Sequence, residues 1–209
     1  PGTPAFQRWF GDSKVVDADG KPLVVYHGTG ADFSQFQKRD GKNTSHILDI
    51  GFHFGSYEVA NDYAKAAAIG GKYQSGLSRD GQKGEPVIYP VYLSIQNPAD
   101  FRGKYQGGEG GEAIAVLRAL ASEAGLGSRS KYVQLLEVAP ETTATILQQK
   151  LGRDRVRQAL EAAGFDGIRY TMKEAGDSYV AFRPNQIKSA IGNRGTYDPA
   201  DPSILNKDS

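Results

Sequence analysis

Runs rich in β-branched and aromatic residues fall at 23–27, 51–54, 87–95, 167–171 and 179–182, separated by stretches of unequal length. A doubly wound parallel sheet needs strands and helices in regular alternation, and that alternation is absent. The chain therefore reads as α+β. Residues 167–171 and 179–182, joined by a polar turn, predict a β-hairpin closed by Pro184. No period of about 20–50 residues recurs, which excludes a solenoid or propeller. A length of 209 residues suits one domain with a sizeable core.

Helical periodicity fills the gaps. Phe6, Trp9 and Phe10 recur at helical spacing and predict a short helix that pins an aromatic stripe to the core. Ser56 is placed to cap a helix whose first turn holds Glu58, where an anion complements the helix dipole. In that helix Ala60, Tyr63, Ala64 and Ala67 fall at i, i+3, i+4 and i+7, which turns Tyr63 toward the protein. Further helices are expected at 112–124, 141–151 and 154–163, two of them closed by Gly125 and Gly164. Residues 31–50 and 72–85 lack periodicity and read as loops. Arg153, Arg155 and Arg157 do not share one helix face and read as solvated surface, not a phosphate clamp.

Composition removes whole classes of function. Lys plus Arg total 25 against 24 Asp plus Glu, so no global field holds a polyanion by charge alone. The absence of Cys excludes disulfides, a thiol nucleophile and thiolate metal sites. No apolar run approaches the roughly 18 residues of a membrane span. The chain reads as soluble, and Pro1-Gly2-Thr3-Pro4 reads as the cut edge of something longer. No phosphate loop, dinucleotide fingerprint or nucleophile elbow occurs. None of His27, His46 and His53 has a zinc-type partner at i+4, so no metal is expected.

Three segments remain: Tyr26-His27-Gly28-Thr29 at a strand end, Gly51-Phe52-His53-Phe54 leading into the helix with Tyr63, and Asp177-Ser178-Tyr179-Val180-Ala181-Phe182 before Pro184-Asn185-Gln186-Ile187. Each alone is weak. In this order they resemble the His, Tyr, Glu signature of the diphtheria-toxin-like and poly(ADP-ribose)-polymerase-like ADP-ribosyltransferases. The chain is similar, more closely, to the ADP-ribosyltransferase-like domains of polyvalent proteins from phages and mobile elements. There the segments Phe6-Gln7-Arg8-Trp9-Phe10-Gly11-Asp12-Ser13, Leu23-Val24-Val25-Tyr26-His27-Gly28-Thr29 and Gln186-Ile187-Lys188-Ser189-Ala190-Ile191-Gly192-Asn193-Arg194-Gly195 have counterparts.

The resemblance implies the ADP-ribosyltransferase fold, two packed and mostly antiparallel sheets with flanking and inserted helices. It implies a single domain over 1–209, least recognisable in a helical insertion at about 101–151. NAD is the implied co-substrate. His27 would donate to a ribose hydroxyl, Gly28 would let the nicotinamide amide approach closely, and Thr29 would add a hydroxyl contact. Tyr63 would stack on the cationic nicotinamide ring. His53 would flank the same ring, and Tyr26 and Phe54 would complete the binding segments.

Ser178 stands where relatives have the catalytic Glu. The resemblance leaves three alternatives: Asp177 reaches in, Glu174 on the preceding acceptor turn does, or transfer is slow or absent. It implies mono-ADP-ribosylation of a macromolecular acceptor, protein or nucleic acid, by a toxin or effector module acting in bacterial or host cytoplasm after delivery. The implied setting is a larger multidomain chain or pairing with an immunity protein, without a membrane. An NAD glycohydrolase and a non-enzymatic NAD-binding module stand as alternatives.

Overall fold

The computed structural model describes residues 1–30, 32–37, 48–68, 85–172, 176–193, 195 and 197–205. Two sheets carry the fold. In the first, β1 (Val25–Thr29), β3 (Val87–Leu93) and β7 (Ile187–Ser189) lie in the order β1-β3-β7, all antiparallel. In the second, β2 (Phe52–Phe54), β6 (Asp177–Ala181), β5 (Gly167–Thr171) and β4 (Pro98–Asp100) lie in the order β2-β6-β5-β4. Only β4 with β5 is parallel among these pairs. The sheets touch edge to edge at one place, where Tyr26 and Gly55 exchange backbone hydrogen bonds of 2.9 and 3.0 Å.

Strand alternation assigns the faces. Val25, Val91, Leu93 and Ile187 of the first sheet meet Phe52, Phe54, Tyr179 and Ala181 of the second in one apolar cluster. Ile168, Tyr170 and Val180 point out of the other face of the second sheet, into a larger cluster. That cluster is roofed by α3 (Gly111–Glu123), α5 (Pro140–Leu151) and α6 (Arg153–Ala162), which buries Leu117, Leu147 and Leu160 completely. These helices and the short α4 (Lys131–Gln134) form the insertion between β4 and β5. The outer face of the first sheet is covered by α1 (Pro4–Phe10), whose Phe6, Trp9 and Phe10 pack on Tyr92 and Tyr197.

Beside β1 that outer face is covered by α2 (Tyr57–Ala68), which lays Ala60, Ala64 and Ala67 on the sheet. Gly28 explains the closeness: a Cβ there would stand 1.7 Å from the Ala60 carbonyl oxygen and 2.9 Å from the Ala64 nitrogen. Ser56 caps α2, its hydroxyl accepting from the Val59 amide at 3.4 Å. Backbone and Ser56 hydrogen bonds hold the exposed Glu58 carboxyl below its usual range.

Several expectations need correction. His27 lies in mid-strand rather than at a strand end, because β1 runs through Gly28 to Thr29. Pro98 opens β4, as a proline can at the first residue of a strand. Residues 187–189 pair with β3. Arg155 and Arg157 pair with Glu123 and Asp154 at 2.6 and 2.9 Å on α6. Residues 72–84 of the expected loop and Glu174 lie outside the described residues.

Candidate active site

The sequence-selected residues lie on β1, β2, α2 and β6, on either side of the bridge where Tyr26 and Gly55 join the two sheets. His27 points toward the space between the sheets and is half-buried. Phe36 meets its ring edge to face at a centroid distance of 5.0 Å, and Phe54 lies at 5.7 Å. Its Nδ1 lies 2.8 Å from the His53 carbonyl. A carbonyl only accepts, so Nδ1 carries the hydrogen of this contact.

Gly28 contributes backbone rather than space. Alternate residues of an antiparallel strand turn their N–H and C=O to opposite edges. Tyr26 uses both groups on Gly55, on the edge away from β3, and Gly28 faces that same edge two residues further on. Among the described residues no strand pairs with β1 there. One donor and one acceptor side by side match a primary carboxamide. The room expected from the missing side chain is filled instead by α2.

Thr29, 3 % exposed, and Phe54, 2 % exposed, are packed inside. Tyr26 turns to the outer face, where its ring meets Tyr57 edge to face at 5.6 Å. Tyr63 was expected to face the protein but is 40 % exposed. The alanine stripe occupies the contact with β1, and Tyr63 flanks it, near the Tyr170 phenol.

His53 is tied on both sides: Nε2 lies 3.0 Å from the Leu48 carbonyl and Nδ1 lies 3.1 Å from the Tyr170 hydroxyl. The Leu48 carbonyl fixes the hydrogen on Nε2, so Nδ1 accepts from Tyr170. Burial, the neighbouring Tyr63 phenol and too little compensation from Ser178 keep the Tyr170 phenol far above its ordinary range. Tyr170 was not singled out in the sequence. Its only signal is a polar tip within an otherwise apolar strand.

Ser178 sits opposite Tyr170 across the β5–β6 ladder and is 1 % exposed. Its hydroxyl has no hydrogen-bond partner, although a Cβ on Gly55 would come within 3.0 Å of it. A buried hydroxyl without a partner is costly, about 1–3 kcal/mol. Asp177 does not share this place. Its side chain leaves the opposite face of β6, accepts from Arg169 Nε at 2.8 Å and from Thr171 at 3.3 Å, and has Arg102 at 3.9 Å. Arg102 is in turn held bidentately by Asp100 at 2.7 and 3.0 Å. Burial raises the Asp100 carboxyl, but hydrogen bonds from Arg102 and the backbone outweigh it and hold the group below its usual range. The expectation that Asp177 supplies the missing carboxylate is therefore corrected: its charge is committed to two guanidinium groups.

Among the described residues no group of three or more His, Cys, Asp or Glu is placed to hold a metal ion. Nor is any helix there long and apolar enough to cross a membrane. A cleft beside α3, lined by Arg102, Gly108, Gly110, Ile114, Arg118 and Glu137, shares no residue with the His27 junction.

Two mostly antiparallel sheets joined at a histidine-bearing strand, with a tyrosine-bearing helix packed beside it, define an α+β protein with the ADP-ribosyltransferase fold. The family described as ADP-ribosyltransferase in polyvalent proteins matches residues 17–197, and the chain belongs to it. No curated protein and no solved structure matches the chain.

Proposed function

We propose that the protein is a mono-ADP-ribosyltransferase that takes NAD as donor and modifies a macromolecular acceptor. The observation that carries this reading is the match of residues 17–197 to the ADP-ribosyltransferase family; beside it, Gly28 turns a backbone donor and acceptor to the edge of β1 away from β3, Tyr63 is 40 % exposed on the adjoining helix, and Ser178 carries a buried hydroxyl. These groups fit the nicotinamide ribose end of NAD. Gly28 grips the amide, Tyr63 stacks on the cationic ring by about 0.5–2 kcal/mol, and His27 orients a ribose hydroxyl. Ser178 faces the sugar without a charge, which suits one transfer per acceptor rather than chain elongation.

Family membership supports a setting in conflict between bacteria and phages, as a toxin or effector module delivered into a cytoplasm and matched by an immunity protein. A second reading, NAD glycohydrolase, draws on the burial of Ser178, since water reaches a 1 % exposed hydroxyl more easily than a macromolecule does. Incubation with labelled NAD and a bacterial lysate, followed by protease or nuclease digestion, tests both. Label on either polymer supports the transferase, nicotinamide release without label supports the glycohydrolase, and NAD binding without release leaves a binding module.

A further inference from the structure

We propose that Tyr170, held by His53 and facing Ser178, is a positioning residue that relays the nucleophile's proton from Ser178 to His53, so that the site serves an O–H nucleophile rather than a carboxylate. The proposal rests on the reading of this junction as the NAD site.

The geometry sets the direction of the relay. His53 Nε2–H is spent on the Leu48 carbonyl at 3.0 Å, which leaves Nδ1 as the acceptor for the Tyr170 hydroxyl at 3.1 Å. With its own hydrogen committed there, Tyr170 presents an oxygen lone pair to its cross-strand neighbour. That neighbour is Ser178, whose hydroxyl is buried. The relay requires the Ser178 hydroxyl to turn toward Tyr170 Oη. The acid next door, Asp177, takes no part, since it is held by Arg169 on the other face.

The balance of the step follows. The nucleophile's oxygen forms a bond to the anomeric carbon, and the glycosidic C–N bond breaks with its electron pair returning to the nicotinamide ring. The nucleophile's proton passes to Ser178 Oγ, the Ser178 proton to Tyr170 Oη, and the Tyr170 proton to His53 Nδ1. The positive charge lost by the pyridinium reappears on the imidazolium, whose Nε2–H remains on Leu48. A hydroxyl group or water has this proton to give. A carboxylate acceptor does not, and would leave the relay idle.

The test compares wild type, Tyr170→Phe and Ser178→Ala, each checked for NAD affinity by calorimetry, nicotinamide release in H2O and D2O, and the 15N spectrum of His53. Expected are an NAD affinity within about twofold of wild type in Tyr170→Phe, release slowed about a hundredfold in both variants, and a solvent isotope effect present in wild type and lost in both. In Tyr170→Phe the His53 Nδ1 resonance moves to that of an unbonded acceptor. Transfer to a hydroxyl and hydrolysis by water both support the relay, and labelled polymer separates them. An undiminished rate in Tyr170→Phe, an unmoved His53 Nδ1, or a hydroxylamine-labile ester linkage in the product overturns it. Wild type that binds no NAD overturns the NAD reading itself and is seen before any variant is made.

Discussion

Asp177 and Ser178 are adjacent on β6 and leave the strand in opposite directions, into surroundings that differ in kind. On the Asp177 side, Arg169, Arg102, Thr171 and Asp100 form a connected set in which each charge faces an opposite one. On the Ser178 side, Tyr170, His53 and Tyr63 offer neutral oxygen and nitrogen atoms, and the serine hydroxyl itself lacks a partner. The difference separates structural from chemical polarity. A satisfied ion-pair network fixes the ends of β4, β5 and β6, while the buried Ser178 hydroxyl is left without a hydrogen-bond partner. The acidic residue of the pair attracts attention in the sequence, yet it belongs to the scaffold.

The contrast can be broken most severely from outside both regions. Gly28→Ala would drive a Cβ into the backbone of α2 and pull Tyr63 away from the junction. We expect a loss of at least about 3 kcal/mol, a drop in Tm of roughly 6–12 °C, and a parallel loss of NAD affinity, measured by thermal melting and calorimetry. A Tm within about two degrees of wild type would contradict the packing.

Asp177→Asn sharpens the comparison, because it removes the charge that two guanidinium groups share while leaving the Ser178 face alone. The expected cost is about 1–3 kcal/mol in urea unfolding with NAD affinity maintained, since the pair is only partly buried. A collapse of NAD binding without loss of stability would return Asp177 to the site.

The pH dependence of stability tests the same network. The Asp100 carboxyl is held below its ordinary value of 3.8 in the folded protein, so its contribution is complete above that value and is lost as pH falls through the lower folded value. Wild type should therefore lose more Tm than Asp100→Asn on acidification from pH 5 to strongly acidic conditions, of order pH 2–3. Equal slopes would mean that the network adds nothing.

The smallest effect belongs to the neutral side. Tyr63→Leu should weaken NAD binding by about 0.5–2 kcal/mol with little change in Tm, because the ring is 40 % exposed and anchors nothing in the apolar clusters. Calorimetry that finds full affinity in this variant would remove the stacking role.

Much of the scaffold was legible because hydrophobic periodicity is local. The α1 aromatics, the Ala60–Ala64–Ala67 stripe, the three long helices of the insertion and the β5–β6 hairpin all emerge at the expected places. Strands with little pattern of their own were not: β4 and β7 are three residues each and exist only because β5 and β3 offer edges to them. The exposure of Tyr63 was misjudged for a related reason, since periodicity places a residue on a helix face within about a quarter turn and the neighbouring alanines took the contact.

At the site, residue order in the chain was enough to select His27, Tyr63 and Ser178 as candidates, and the departure of Ser178 from the expected glutamate was visible without coordinates. Which nitrogen of His27 or His53 bears hydrogen depends on carbonyls brought from Leu48 and from β2, and the partnering of Tyr170 depends on a ladder with β6. The alternation of a pleated strand tells that Asp177 and Ser178 face apart, but which face meets arginines and which meets the junction is decided by sheet order alone. Sequence settles the types of group that are available, because side-chain chemistry is intrinsic. Tertiary structure settles their protonation and partners, because hydrogen bonds and desolvation arise only when distant segments come within a few ångströms of one another.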